Sequence, residues 1–226
     1  MTTILVTGSN RGIGLEFVRQ YAADGCRMIA CCRTPAKAEA LKTVPGDVRI
    51  MELDVASRDS ARQLAGVLKD EPIDILINNA GVFGPKAQGA DDQDYGAILE
   101  TLHVNSIGPL IVSQALKDNL RRGHDKKIAV LTSLMGAIGE NGSGYLAYRA
   151  SKAALNMIMH VVARDWARDG LLIGIYHPGW VQTDMGGAGA SLTPQESVRG
   201  LRQRIAELSP ERSGRFLDHH GKELAW

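Results

Sequence analysis

Residues 7–14 read Thr7-Gly8-Ser9-Asn10-Arg11-Gly12-Ile13-Gly14, and this run decides the fold. An apolar stretch over 3–7 leads into it, and an amphipathic segment over about 12–24 follows it. Glycines at a strand-to-helix junction let the backbone turn tightly and approach a pyrophosphate, while the free N–H groups and dipole of the helix favour the anion. The spacing is G-x-x-x-G-x-G rather than the G-x-G-x-x-G of longer dinucleotide-binding chains. Such a turn alone could equally be plain structural punctuation. Its position between a first strand and a first helix points to a phosphate cradle.

Outward from this turn the same alternation continues. Strand patterns at 27–32, 48–53, 73–78, 127–132, 172–177 and 214–218 are interleaved with helical patterns near 37–41, 60–69, 94–102, 104–120, 145–168 and 194–207. Strands spaced by helices imply parallel pairing through right-handed crossovers. The expected fold class is α/β: a three-layer, doubly wound, Rossmann-type parallel sheet of about seven strands in one domain over 1–226. Neither a linker nor an internal repeat interrupts it. Residues 186–191 (GGAGAS) have the composition of a mobile loop, and their place after the sixth strand puts them beside the ligand crevice.

Composition narrows the function classes. The chain is 44% hydrophobic and 23% charged with a net charge of +1, which gives no reason to expect nucleic acid or a membrane surface as partner. An aromatic content of 5% argues against base-stacking platforms as well. Cys26, Cys31 and Cys32 are odd in number and clustered, so they read as free core thiols in a reducing compartment. The amino terminus enters a strand pattern directly, with no basic leader, and no apolar run approaches a membrane span. A cytoplasmic location is expected. The histidines, His219 and His220 included, lack metal-ligand spacing and read as solvated or loop residues, and His177 reads as a satisfied buried histidine. Asp91, Asp92 and Asp94 read as helix-start capping. No metal is expected.

The end of the second strand discriminates between nicotinamide cofactors. NAD sites place a carboxylate there for the ribose 2′-hydroxyl, whereas NADP sites tend to offer arginine for the 2′-phosphate. This chain has Cys31-Cys32-Arg33-Thr34. Arg33 suits a charge-assisted contact to phosphate, and Arg11 can approach the same group from the other side. NADP(H) is therefore expected over NAD(H).

Tyr148-Arg149-Ala150-Ser151-Lys152 lies within the long helical pattern, and a spacing of four puts tyrosine and lysine on one face. Free tyrosine titrates near about 10, and an adjacent ammonium lowers that value toward useful proton transfer. By itself Y-x-x-x-K describes an amphipathic helix with a solvated lysine equally well. However, Ser133 ends the fifth strand, Asn105 precedes it in a helix, and Asn78-Asn79-Ala80-Gly81 ends the fourth. In a parallel sheet these strand ends share one side, where ligands bind. Tyr145 is the weaker candidate, because four positions on stands Arg149, which cannot replace a compact, titratable ammonium.

TGSNRGIG, LDV at Asp54, NNAG at 78–81, Asn105, Ser133, YRASK and PGWVQT at 178–183 together resemble the short-chain dehydrogenases/reductases, over nearly the whole chain. The resemblance implies a sheet order of 3-2-1-4-5-6-7. It also implies Tyr148 as general acid and base, Lys152 as its pKa tuner and ribose ligand, and Ser133 as hydrogen-bond partner of the substrate oxygen. Asn105 would hold a water behind Lys152. Gly8, Ser9, Asn10, Arg11, Gly12, Ile13 and Gly14 would cradle the pyrophosphate, Asp54 and Val55 the adenine, and Asn79, Ala80 and Gly81 the adenosine ribose. Pro178, Gly179, Val181 and Thr183 would orient the nicotinamide.

Within the family the chain is similar to the C-factor and sniffer-type carbonyl reductases. Only fifteen positions separate Ser133 from Tyr148, too few for an inserted helix that blocks oligomerisation. The resemblance therefore implies a homodimer or homotetramer packed through helices at about 104–120 and 145–168. A substrate pocket of residues 134–139, Asn141 to Tyr145, Trp180 and the 184–193 loop would favour a modest, apolar carbonyl or alcohol compound. Two alternatives share these residues: a cofactor-bound signalling or interaction protein with little turnover, and a 3-oxoacyl-type reductase.

Overall fold

The computed structural model describes residues 1–91, 94–140 and 142–226. Seven parallel strands form one sheet in the order β3-β2-β1-β4-β5-β6-β7, as the resemblance implies. They are β1 (Thr3–Thr7), β2 (Arg27–Cys32), β3 (Val48–Glu52), β4 (Ile75–Asn78), β5 (Lys127–Leu131), β6 (Leu172–His177) and β7 (Phe216–Asp218). The chain builds outward from β1 in one direction and from β4 in the other. Adjacent connections therefore leave in opposite directions above β1 and β4, and a crevice opens there.

Helices cover both faces, so the inner strands read as continuous apolar runs; every residue of β1 is buried. Alternate side chains serve two cores. Leu5, Ile29, Leu76 and Val130 pack beneath α3 (Arg58–Leu68), α5 (Gly108–Ala115) and α7 (Leu146–Asp165). Ile4, Val6 and Tyr176 meet Phe17 and Val18 of α1 (Gly12–Ala23) and Val198 and Leu201 of α8 (Pro194–Ala206). Cys31 and Cys32 are buried free thiols within these cores.

Two expected helices are broken into shorter pieces. The pattern at 37–41 becomes a 3₁₀ turn (Pro35–Lys37) and a short α2 (Glu39–Lys42), divided at Ala38, whose φ −91° and ψ 55° are not helical. The continuous pattern over 104–120 is three pieces: a π-helical turn (His103–Ile107), α5, and α6 (Lys117–Arg122). The π turn follows directly from α4 (Tyr95–Leu102). Pro109, at the start of α5, has no N–H to give the Asn105 carbonyl. The Gly108 N–H reaches five residues back to His103, and the helix widens around Asn105.

Candidate active site

A cleft of about 470 Å³ opens over the carboxyl ends of β1, β2, β4 and β5. Among the residues expected to hold a dinucleotide, Gly8, Asn10, Arg11, Gly12, Ile13, Arg33, Asp54, Val55, Asn79, Ala80, Gly81, Tyr148, Lys152, Pro178 and Thr183 line it. Ser9, Gly14, Gly179 and Val181 instead shape its walls. Ser9 is fully buried and donates its hydroxyl to the Cys31 carbonyl at 3.0 Å, tying the turn to β2. A Cβ on Gly14 would lie 2.3 Å from the Gly8 carbonyl oxygen. Gly179 has φ +85° and backs onto Leu192, whose backbone pairs with buried Val181.

Gly8 sits at φ +63°, where a Cβ would come within 2.8 Å of the Ala80 Cα. The side-chain amide of Asn79 donates to the carbonyls of Thr7 (2.8 Å) and Gly8 (3.0 Å). The Thr7 hydroxyl accepts from the N–H groups of Asn79 (3.1 Å) and Ala80 (3.0 Å). Asn79 thus fixes the turn first, and whatever it offers a ligand comes from its carbonyl oxygen. These glycines and the exposed Arg33 beside Cys32 suit a phosphorylated dinucleotide, whose backbone-hugging pyrophosphate needs such Cβ-free surface. Arg11 forms an ion pair with Asp184 at 2.8 Å; both side chains are at least 70% exposed.

At the other end of the cleft, α7 carries Tyr148 and Lys152 side by side, with Nζ 5.7 Å from the phenol ring centre. Lys152 is 5% exposed and donates to the Leu131 carbonyl at 2.9 Å. Burial lowers its pKa from 10.5 to about 8. Burial also pushes Tyr148 up, against a smaller pull downward from the Ser133 hydroxyl. Desolvation, rather than the lysine, dominates the phenol here and leaves the ammonium the stronger acid of the two. Ser133 stands two residues past the end of β5 and caps a 3₁₀ turn by accepting from the Met135 N–H at 3.1 Å.

Asn105 is fully buried in the π turn. Its Oδ1 accepts from the Val82 N–H at 2.8 Å, and its amide donates to the Val82 carbonyl (2.8 Å) and the Ser151 hydroxyl (3.0 Å). Ser151 in turn donates to the Tyr148 carbonyl at 2.8 Å. Asn105 therefore joins the segment after β4 to the helix that carries the tyrosine. The missing Cβ of Gly81 would stand 3.1 Å from Asn105 Oδ1 and 3.8 Å from Lys152 Nζ, so the space between these two groups is kept open by a glycine.

The glycine-rich loop expected to be mobile is laced down. Trp180 donates its indole N–H to the Gly186 carbonyl at 2.9 Å, and Thr183 accepts from Gly186 (3.1 Å) and Gly187 (2.8 Å). Gln182 also donates to the Ala190 carbonyl at 3.0 Å. Ile138, Tyr145, Trp180 and Met185 are exposed apolar residues of the expected substrate side. Asn141 and Asp92 lie outside the described residues, while Asp94 caps α4 by accepting from the Ala97 N–H at 3.0 Å.

The sequence reading missed Phe83, whose ring lies 5.0 Å from that of Tyr148 and 5.2 Å from that of Tyr145. It also missed Val104 and Gln195 in the cleft wall. Val82 and Phe83 directly follow NNAG and could have been found by that adjacency. Gln195 could not, because it depends on α8 docking against Glu16 of α1. Two histidines also differ from expectation: His219 is buried against Gly179, and neither its ring nitrogens nor His177 Nδ1 has a hydrogen-bond partner. Burial lowers His177 to about 4, so it is neutral near pH 7. Among the described residues no group of three or more potential ligands could hold a metal, and no helix is long and apolar enough to cross a membrane.

The sequence model of the short chain dehydrogenase family matches residues 2–191. The chain is 46% identical over 156 residues to C-signal of Myxococcus xanthus, covering 69% of this chain and 93% of that protein. The carbonyl reductase Sniffer of D. melanogaster superposes with a TM-score of 0.92 at 30% identity, over 100% of both chains. The NADPH-bound carbonyl reductase from chicken fatty liver gives 0.92 at 32% identity, over 100% of this chain and 99% of that one.

The buried ammonium makes stability depend on pH. With the folded pKa of Lys152 near 8 against 10.5 for the free group, the unfolded chain binds more protons between those values, so stability rises with pH across that window. We expect Lys152→Met to lose this rise, on the order of 3 kcal/mol in total. Urea denaturation of both proteins from pH 7 to 10.5 measures the difference; parallel curves would contradict a buried ammonium.

Proposed function

The chain belongs to the short chain dehydrogenase family, and on that premise we propose that it is an NADP(H)-dependent oxidoreductase acting on a small carbonyl or alcohol compound. The observation that carries this reading is the meeting of Tyr148 and Lys152, with Ser133 beside the phenol, at one end of the cleft that the glycine turn and Arg33 line at the other. Bound NADPH supplies the hydride for the carbonyl carbon. In that direction Tyr148 gives its phenolic proton to the carbonyl oxygen, and in reverse it takes the alcohol proton. Ser133 hydrogen-bonds the same oxygen as charge develops on it. The Lys152 ammonium stabilises the phenolate that proton transfer leaves behind, and Asn105 holds the water that returns the proton.

For the cofactor, the first turn of α1 and the glycines 8, 12 and 14 hold the pyrophosphate, with Ser9, Asn10 and Ile13 completing the turn. Arg33 and Arg11 take the 2′-phosphate, Asp54 and Val55 the adenine, and Asn79, Ala80 and Gly81 the adenosine ribose. Pro178, Gly179, Val181 and Thr183 orient the nicotinamide. The likeness to an NADPH-bound carbonyl reductase supports this choice of cofactor.

A homodimer accompanies the reading. Tyr95 and Leu99 of α4, Ile107, and Leu146, Met157 and Val161 of α7 are exposed apolar residues, and at four-residue spacing Tyr95 with Leu99, and Met157 with Val161, share one side of their helices. Helix α4 thus joins the face expected from α5 and α7. The likeness to C-signal favours a second reading, a cofactor-bound signalling protein with little turnover.

Oxidation of NADPH followed against aldehydes, ketones, diketones and a 3-oxoacyl thioester separates these readings. Tyr148→Phe should lower kcat/KM by about 10²–10⁴-fold, the usual worth of a general acid. Its NADPH affinity should fall far less, by no more than about tenfold, because the other residues that line the cleft remain in place. Wild-type protein that binds NADPH tightly and turns over nothing would favour the signalling reading. Arg33→Ala should weaken NADPH by about 10–100-fold, the worth of one charge-assisted contact, and leave NADH unchanged. Equal losses for both cofactors would overturn the NADP(H) assignment. Light scattering should give a dimer for the wild type and a monomer for Leu99→Glu/Met157→Glu.

A further inference from the structure

Gln88 lies between β4 and α4, outside the cleft, and is 5% exposed. Its Oε1 accepts from the N–H of Tyr148 at 3.1 Å, and its carbonyl accepts from the N–H of Leu146 at 3.1 Å. Its Nε2 donates to the Phe83 carbonyl at 3.0 Å. These bonds answer a need that α7 creates. The helix begins after Tyr145, whose backbone is left-handed (φ 54°, ψ 38°) and whose side chain gives no cap. Leu146 and Tyr148 are first-turn residues whose N–H groups have no partner within the helix. Gln88 supplies from another segment what an N-cap residue normally supplies from its own.

One of the two residues it caps is the tyrosine itself. The other end of the same amide holds the backbone of Phe83, whose ring lies against the Tyr148 phenol. A single side chain therefore fixes the backbone that carries the phenol and the aromatic wall beside it.

We propose that Gln88 is a positioning residue that holds Tyr148 and Phe83 in register, so that it governs both the rate of proton transfer and which carbonyl compounds fit. The proposal rests on Tyr148 acting as the proton donor. A purely architectural glutamine would affect stability alone.

Gln88→Leu keeps the volume and removes both the acceptor and the donor. Gln88→Glu keeps an acceptor for the Tyr148 N–H, adds charge where the helix dipole favours it, and loses the bond to Phe83. We expect Gln88→Leu to lower kcat by about 10–100-fold, as a small misplacement of a reacting group does. NADPH affinity should hold, amide exchange should rise in the first turn of α7, and the Tyr148 phenol titration should shift, read at 295 nm with Tyr148→Phe subtracted. Gln88→Glu should recover most of kcat but alter the ranking of KM between small and bulky carbonyls.

If Gln88→Leu folds less stably but keeps wild-type kcat, phenol titration and exchange, the proposal is overturned. Should that variant not fold, Gln88→Glu decides: the predicted split supports the proposal, and wild-type kcat with an unchanged KM ranking overturns it. If the wild type turns over no carbonyl compound, the oxidoreductase reading fails on its own. Phenol titration and exchange then still decide whether Gln88 positions Tyr148.

Discussion

The whole site depends on a contact between two pieces of backbone. The turn after β1 and the segment after β4 touch where Gly8 meets Ala80, too closely for a Cβ on Gly8. Thr7 and Asn79 hold the contact with four hydrogen bonds, using both backbone and side chain. These are the two strands above which the sheet order reverses, so the bonds also fix the crevice floor. From this floor the first helix starts at Gly12, which lines the cleft, and the next residues along the β4 side, Gly81 and Val82, reach Asn105 and Lys152. The glycine turn and the Tyr148–Lys152 end of the cleft are thus parts of one rigid piece.

Polarity inside this rigid piece comes at a cost in solvation that the surroundings only partly offset. Lys152 keeps one hydrogen bond, to Leu131, and is otherwise buried, which is why its proton is held loosely. Asn105, by contrast, is well satisfied, with two hydrogen bonds to Val82 and one to Ser151 of α7. The contrast has a physical logic. The Lys152 ammonium is left poorly solvated, and the Asn105 amide that ties the neighbouring segments together is locked.

Much of this was legible in the sequence, for reasons that differ by element. The strands were legible because inner strands of a parallel sheet are buried on both faces, and β1, β4 and β5 are accordingly apolar almost throughout. The glycine turn and the Tyr148–Lys152 spacing were legible because both are local geometry. What escaped is what contacts distant in sequence decide. Ser9 turns inward because Cys31 offers it a carbonyl, Gln88 meets a helix sixty positions on, and the glycine-rich loop is anchored by a tryptophan indole. None of these changes the periodicity of the chain around it. The π turn is an intermediate case, since Pro109 signals a disturbance but not its form.

The π turn turns a matter of shape into one of counting. With Gly108 bonded to His103, the helix holds one residue more in that turn than an α-helix would. Everything before the turn is therefore rotated about its axis by about 100° relative to a continuous α-helix. Deleting His103 or Val104, or Ser106 or Ile107, would leave the composition nearly intact and restore regular winding, yet it would swing Asn105 away from Val82 or from Ser151. Chain length between Leu102 and Gly108 is accordingly a stricter requirement than the identity of most residues within it. Two chains of this kind that differ by a single-residue gap here would differ in what this asparagine can reach, however similar they look elsewhere.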